Sequence, residues 1–451
     1  MGEGRIQCTI DKIALLCSNE GGAISVRILK PETRAALHRW LFNKPHLKKL
    51  VHKLVYIKDR LTIAHYSLWN PLRRDTVLFT CFVGRSYGCS PKAIYEYMRT
   101  DPRYAGYKFV WMFRDKERCR KYRQIPALQD AEIIEFKSAA YYKYLACAKY
   151  IVSNYKFHAF SPRRKGQIFL QCWHGTPLKR LGFDVDDNVI NARDSRSDLK
   201  KQYEWMSRQS SYFISPSAFA SARFNSAYKL QEIQPPTEII EEGYPRNDAL
   251  AAATPEKAQE IRRRLGVPEG KKVILYAPTF RDNQHSAGLG FTYELAVDFD
   301  RLRERLSDDY VILFRAHYLV ASSFDFTKYA GFVYNVSDVD DINDLYICSD
   351  LLITDYSSVF FDYANLRRPI IFYMYDREQY GSVIRGFYID LAELPGPIVE
   401  TEDDLVEAVL GFDEENFYDA RYRAFNEKYN YLDDGNASKR VAERVFEPIV
   451  K

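Results

Sequence analysis

The chain has 451 residues and 65 Lys and Arg against 60 Asp and Glu, a formal net charge of +5. Hydrophobic residues make up 46% and charged residues 28%, which excludes a disordered chain and supplies apolar material for more than one core. Nowhere do about 18 apolar residues run uncharged, so no membrane-spanning helix is expected.

The start, MGEGRIQCTIDKIALLCSNE, mixes charge into its apolar positions and does not read as a secretory signal. Eight scattered cysteines without a CxxC pair fit reduced thiols in the cytosol. The basic excess is local: residues 34–60 hold eight Lys or Arg against Asp59, a balance of +7 that leaves −2 for the rest. Within it Leu47, Leu50, Val51, Leu54 and Leu61 recur at helical spacing, with Lys48, Lys49, His52, Lys53 and Arg60 opposite. Trp40, Phe42 and Trp69 flank this stretch. A basic amphipathic helix of this kind suits an anionic membrane surface. The alternative is packing on the body of the protein through the same stripe. No base-stacking module accompanies the charge, so nucleic acid is not an expected partner.

From about residue 75, short β-rich runs alternate with helical stretches. The first series of strands is expected at 76–82, 108–113, 132–136, 150–153, 167–173 and 211–215. A second is expected at 238–241, 272–276, 310–315, 331–334, 351–354 and 370–373. Runs such as VILY, YVILF, DLLIT and PIIFY are apolar on both faces, as buried parallel strands are. Helical material over 92–99, 139–148, 255–265 and 299–306 lies between them. The pattern predicts an α/β protein with two doubly wound, Rossmann-like domains facing one cleft. The expected division is an N-terminal segment over 1–74, a first domain over 75–232 and a second over 233–451.

Ligands in such sheets bind beyond the carboxyl ends of the strands. The first series delivers His174-Gly175-Thr176-Pro177-Leu178 there, an imidazole suited to proton transfer beside backbone that can meet an anion. The second delivers Arg315-Ala316-His317, a fixed cation and a second imidazole mirroring the first across the cleft. Asp355-Tyr356-Ser357-Ser358 opens a helical run, where hydroxyls cap the helix or hold phosphate, and Asp362 follows one turn later. Two further turns deliver Arg246 from GYPRND, and Pro278, Thr279 and Arg281 from APTFR. There is no GxxxxGK[ST] loop, no HExxH and no metal-spaced Cys/His cluster. Nothing in the sequence calls for a metal or other cofactor.

The combination CWHGTPLKRLG, EGYPRNDAL, LYAPTFRD, FRAHY and DINDLYICSDLLITDYSSVFFDYANLRRPIIFY resembles the bacterial CDP-glycerol glycerophosphotransferases, over roughly residues 75–450. The resemblance implies a GT-B fold and transfer of glycerol phosphate, or ribitol phosphate, from CDP-glycerol or CDP-ribitol. The acceptor would be a hydroxyl of a lipid-linked polyol phosphate or sugar at the cytoplasmic face of the membrane, with CMP released. His174 and His317 then match the two catalytic histidines, with the base role open between them. Gly175, Thr176, Pro177, Leu178, Arg246, Pro278, Thr279, Arg315, Ala316, Ser357, Ser358 and Asp362 match substrate contacts. The long N-terminal extension of the large polymerases is missing, so a short form is expected. Two other readings share the fold: a glycosyltransferase using a nucleotide sugar, and a non-catalytic nucleotide-binding protein.

Overall fold

The computed structural model describes residues 45–156, 158–186, 196–279, 285–286, 290–291, 296–316, 324–377, 386–413 and 415–449. His317, Arg281 and the basic and aromatic residues of 34–44 lie outside them.

Helix α1 (Pro45–Trp69) leads into a seven-stranded parallel sheet. Its strands are β1 (Arg73–Thr80), β2 (Lys108–Phe113), β3 (Glu132–Glu135), β4 (Ala148–Ser153), β5 (Ile168–Gln171), β6 (Tyr212–Ser215) and β7 (Glu238–Glu241), in the order β3-β2-β1-β4-β5-β6-β7. After β8 (Lys272–Ala277), a small antiparallel pair, β9 (His285–Ser286) and β10 (Gly290–Phe291), precedes the rest of the second sheet. That sheet adds β11 (Tyr310–Phe314), β12 (Val333–Asn335), β13 (Leu351–Thr354), β14 (Ile370–Tyr373) and β15 (Ile398–Val399), all parallel, in the order β12-β11-β8-β13-β14-β15. Chain order reverses at β1/β4 in one sheet and at β8/β13 in the other. These are the switch points where doubly wound sheets open a crevice.

The strands form because their residues are apolar on both sides. All of YVILF in β11, LLIT in β13 and IIFY in β14 is buried, which only a sheet covered on both faces permits. The helices between them carry conventional ends. Ser138 caps α3 (Ala139–Cys147) by accepting from the Tyr141 N–H, whereas α2 (Cys89–Thr100) starts at Gly88 without a side-chain cap. Thr254 caps α4 (Pro255–Leu265), and Gly266 ends it at φ +74°.

Two segments depart from the sequence reading. β7, expected to open the second series, pairs with β6 and extends the first sheet. The C-terminal helix α7 (Ala437–Val445) crosses back and buries Val441, Ala442 and Val445 against the core of the first sheet. In both, apolar residues complete the first sheet's core, where Ile240 of β7 is buried with Val441, Ala442 and Val445 of α7.

Helix α1 lies against α3. Ile63 is buried there and Tyr66 packs beside it, while the buried Asp59 carboxylate accepts from Tyr142 Oη at 2.6 Å and from Lys137 Nζ at 2.7 Å. Leu50, Leu54, Ile57, Leu61, Leu68 and Trp69 stay 41–76% exposed. The apolar stripe seen in the sequence is thus not the packing face. Asp59→Ala removes the acceptor of two anchoring bonds and is expected to lower stability by about 1.5–3 kcal/mol, read as a lower urea midpoint.

Candidate active site between the two sheets

His174 follows β5 in the first sheet and reaches the β1/β4 switch point. Its Nδ1 lies 2.8 Å from the main-chain oxygen of Asn154, the residue after β4. Trp173, Phe82 and Tyr155 surround the ring at centroid distances of 4.2, 5.6 and 6.1 Å. Trp173 and Phe82 hold left-handed backbone, at φ +49° and +45°, a strain of about 1–3 kcal/mol each that the surrounding contacts must offset. Partial loss of solvation among the surrounding rings lowers the His174 pKa below the usual imidazole value, opposed by the Asn154 carbonyl and reinforced by the Arg246 charge. The ring remains reachable from the cleft, and at neutral pH it is an uncharged imidazole.

The β8/β13 switch point of the second sheet supplies the facing wall. Pro278 and Thr279 leave β8, and Asp355 to Ser358 leave β13. The Asp355 carboxylate accepts from the Thr279 N–H at 2.8 Å and ties the two loops together. Ser357 and Ser358 precede α6 (Val359–Tyr363), which no side chain caps, so Ser358 is not occupied as a cap. Arg315, at the end of β11, is braced by its Nη1 donating to the carbonyls of Val336 and Val339 at 3.1 and 2.8 Å.

Between these walls lies an open cleft. It is lined by His174, Gly175, Thr176, Pro177 and Leu178 from one side and by Pro278, Thr279, Arg315, Ala316, Ser357 and Ser358 from the other, with Trp173, Lys179, Ile342 and Tyr356. The walls come so close that a Cβ on Gly175 would sit 2.6 Å from Ser358 Oγ. A side chain at 175 would force the Ser358 hydroxyl to turn aside.

Arg246 and Asp362 are placed differently. They meet each other behind the cleft wall, with Nε and Nη2 of Arg246 each donating to the Asp362 carboxylate at 2.9 Å. The guanidinium lies 3.7 Å from the Tyr244 ring centroid, and both charged side chains are under 10% exposed. Asn247 donates to Asp362 and to Asp433, at 3.1 and 2.6 Å, and Asn343 of α5 (Ile342–Cys348) donates to the Arg246 carbonyl. Arg246 belongs to the turn after β7 and Asp362 to α6, so the pair joins the two halves.

The model of the CDP-glycerol:poly(glycerophosphate) glycerophosphotransferase family matches residues 62–447. The chain belongs to this family. Among glycerophosphotransferase relatives, the teichoic acid poly(glycerol phosphate) polymerase of Bacillus subtilis is 37% identical over 89% of this chain, which spans 54% of that protein. The teichoic acid glycerol-phosphate transferase of Staphylococcus aureus is 35% identical over 89% of this chain and 99% of its own length. The wall teichoic acid polymerase TagF, as a histidine variant soaked with CDPG, is 34% identical over 91% of this chain and 97% of that one, with a TM-score of 0.77. The two-sheet architecture is therefore the GT-B-like arrangement of a glycerophosphotransferase.

Sequence reasoning gave no role to Asn154, Asn247, Asn343, Asp355 and Asp433, although it named Asp355 in the turn after β13. Asn154 stands one residue past β4, the kind of position from which that turn was read, so the same rule applied to β4 would have found it. Asn247, Asn343 and Asp433 gather only through long-range folding.

Gly175→Ala is expected to lower stability by about 1–3 kcal/mol through overpacking. Adding Ser358→Ala removes the crowding oxygen and is expected to recover most of the loss, read as coupling in a double-mutant unfolding cycle.

Proposed function

We propose that the chain transfers glycerol phosphate from CDP-glycerol to a hydroxyl of a lipid-linked acceptor in teichoic acid synthesis, releasing CMP. The observation that carries this reading is the cleft itself. An uncharged imidazole on one wall faces Thr279, Arg315, Ser357 and Ser358 on the other, at the crevices of two facing sheets. Relatives named for glycerol phosphate, and the TagF structure soaked with CDPG, favour glycerol over ribitol.

Phosphoryl-type transfer depends on positioning and charge stabilisation more than on covalent chemistry. The acceptor oxygen attacks the β-phosphorus of CDP-glycerol while His174 takes its proton. The P–O bond to CMP breaks. Thr279, Ser357 and Ser358 offer donors to the diphosphate oxygens, and Arg315 supplies positive charge. His317, two residues past Arg315, stabilises the departing CMP. Arg246 and Asp362 position the walls. The half built on the first sheet receives the acceptor, and the half built on the second holds the CDP-alcohol.

The exposed stripe Leu50, Leu54, Ile57, Leu61 and Leu68 of α1, flanked by Lys49, Lys53 and Arg60, attaches the protein to an anionic membrane surface on its cytoplasmic face. No described helix is long and apolar enough to cross a membrane.

The test is CMP release from CDP-glycerol, and separately from CDP-ribitol, with a lipid-linked acceptor. Release from CDP-glycerol is expected, falling about 10²–10⁴-fold in His174→Ala. Consumption of a UDP-sugar in place of either donor contradicts the reading. For the membrane, Leu54→Asp with Leu61→Asp removes apolar contacts worth about 1.5–3 kcal/mol each when fully buried. Sedimentation with anionic vesicles is expected to drop at least tenfold, with CMP release to a water-soluble acceptor unchanged.

A further inference from the structure

We propose that Asn154 is the positioning residue that makes Nε2 of His174 the atom that accepts the substrate proton. This rests on the assignment of His174 to the reacting hydroxyl.

Asn154 is fully buried and stands just past the last residue of β4. Ser153 still belongs to the ladder, since its carbonyl accepts from the Cys172 N–H at 2.8 Å. One residue on, the neighbouring strands diverge, and the Asn154 carbonyl meets His174 Nδ1 at 2.8 Å instead. A carbonyl oxygen only accepts. Nδ1 therefore carries the hydrogen, and the uncharged ring keeps its lone pair on Nε2.

The Asn154 side chain fixes the direction of that carbonyl. Its Oδ1 accepts from the Phe82 N–H at 2.8 Å, carrying the β1–β4 ladder one step further, and its Nδ2 donates to Cys81 Sγ at 3.4 Å. Phe82, held at φ +45° by this bond, turns its ring toward His174. Gln171 does the same on the other side, accepting from the Trp173 N–H at 2.9 Å and donating to the Tyr155 carbonyl at 3.1 Å. Two buried amides thus hold the three rings around the imidazole.

Among the described residues, the Tyr155 ring stacks on the imidazole, the Arg246 charge acts on it, and Arg315 and Lys179 line the same cleft. No carboxylate among the described residues orients the histidine, as the Asp of a Ser-His-Asp triad does, so its tautomer falls to the carbonyl. In the reaction the acceptor O–H proton moves to Nε2 as the new P–O bond forms and the bond to CMP breaks. The imidazolium keeps its Nδ1–H on Asn154 and passes the Nε2 proton to water.

The first test is the tautomer in the full chain, read by two-bond proton–nitrogen NMR with 15N-labelled histidine and assigned by signal loss in His174→Gln. A protonated Nδ1 with unprotonated Nε2 is expected at neutral pH. A ring protonated at Nε2, or an averaged mixture, overturns the proposal even if CMP release depends on His174. The second test is Asn154→Ala, expected to mix the tautomers and lower kcat up to about 100-fold with KM for CDP-glycerol unchanged. Asn154→Asp retains the acceptor for Phe82 and is expected to recover part of the loss. Unchanged tautomer and kcat in Asn154→Ala overturn the proposal. If the tautomer responds as expected but wild-type protein turns over no CDP-alcohol, the functional reading fails and the positioning role stands.

Discussion

The two halves of this protein are joined by one guanidinium and one carboxylate that lie almost wholly out of water. Arg246 comes from the turn after the last strand of the first sheet, and Asp362 from the helix after β13 of the second. Burying such a pair carries a desolvation penalty that only good geometry and further hydrogen bonds offset. Here the fork is bidentate, Tyr244 stacks on the cation and Asn247 donates to the carboxylate, while Asn343 fixes the Arg246 backbone. The shell is not complete, since Nη1 of Arg246 is buried without a hydrogen-bond partner in the structure. The pair lies behind the walls at which Gly175 and Ser358 almost touch. Ion pairs of Lys92 with Asp341 and Lys121 with Asp340 add a second, more exposed seam. Surface pairs of that kind contribute less than about 1 kcal/mol each, so they trim the alignment that Arg246 establishes.

This rigid join has a chemical consequence. Loss of solvation disfavours the charged form of His174, and the Arg246 charge that binds Asp362 adds a smaller push in the same direction. An uncharged ring at neutral pH is the form a general base requires. Bringing an anionic diphosphate into the cleft would oppose Arg246 and make the ring more basic as substrate arrives. Strained backbone at Trp173 and Phe82 is tolerated because buried amides satisfy their N–H groups.

Much of this was legible in the sequence, for a physical reason. Strands covered on both faces must be continuously apolar, so VILY, YVILF, LLIT and IIFY declared the parallel sheets. Sheets of this kind bind at their carboxyl ends, so the residues just past each strand include eleven of those that line the cleft. β7 was misplaced because EIIE looks alike in either sheet, and only pairing with β6 decides it. The returning helix α7 was illegible because its apolar face meets a core more than 300 positions earlier. Arg246 and Asp362 were found as residues but not as partners, since spacing along the chain says nothing of contacts 116 residues apart. For α1, periodicity gave the helix but not its orientation. Asp59, the one acid in a basic run, turned out to be the anchor that leaves the leucine stripe outside.

On the proposed function, the cleft between the two switch points holds a CDP-alcohol with its diphosphate between His174 and the Ser357-Ser358 turn. A structure of the protein soaked with CDP-glycerol tests this most directly. The diphosphate is expected against Gly175 to Leu178, Thr279, Ser357 and Ser358, with the β-phosphorus open to a hydroxyl that could reach His174 Nε2. A diphosphate bound elsewhere, or bound in the cleft with the β-phosphorus turned away from His174, would contradict it.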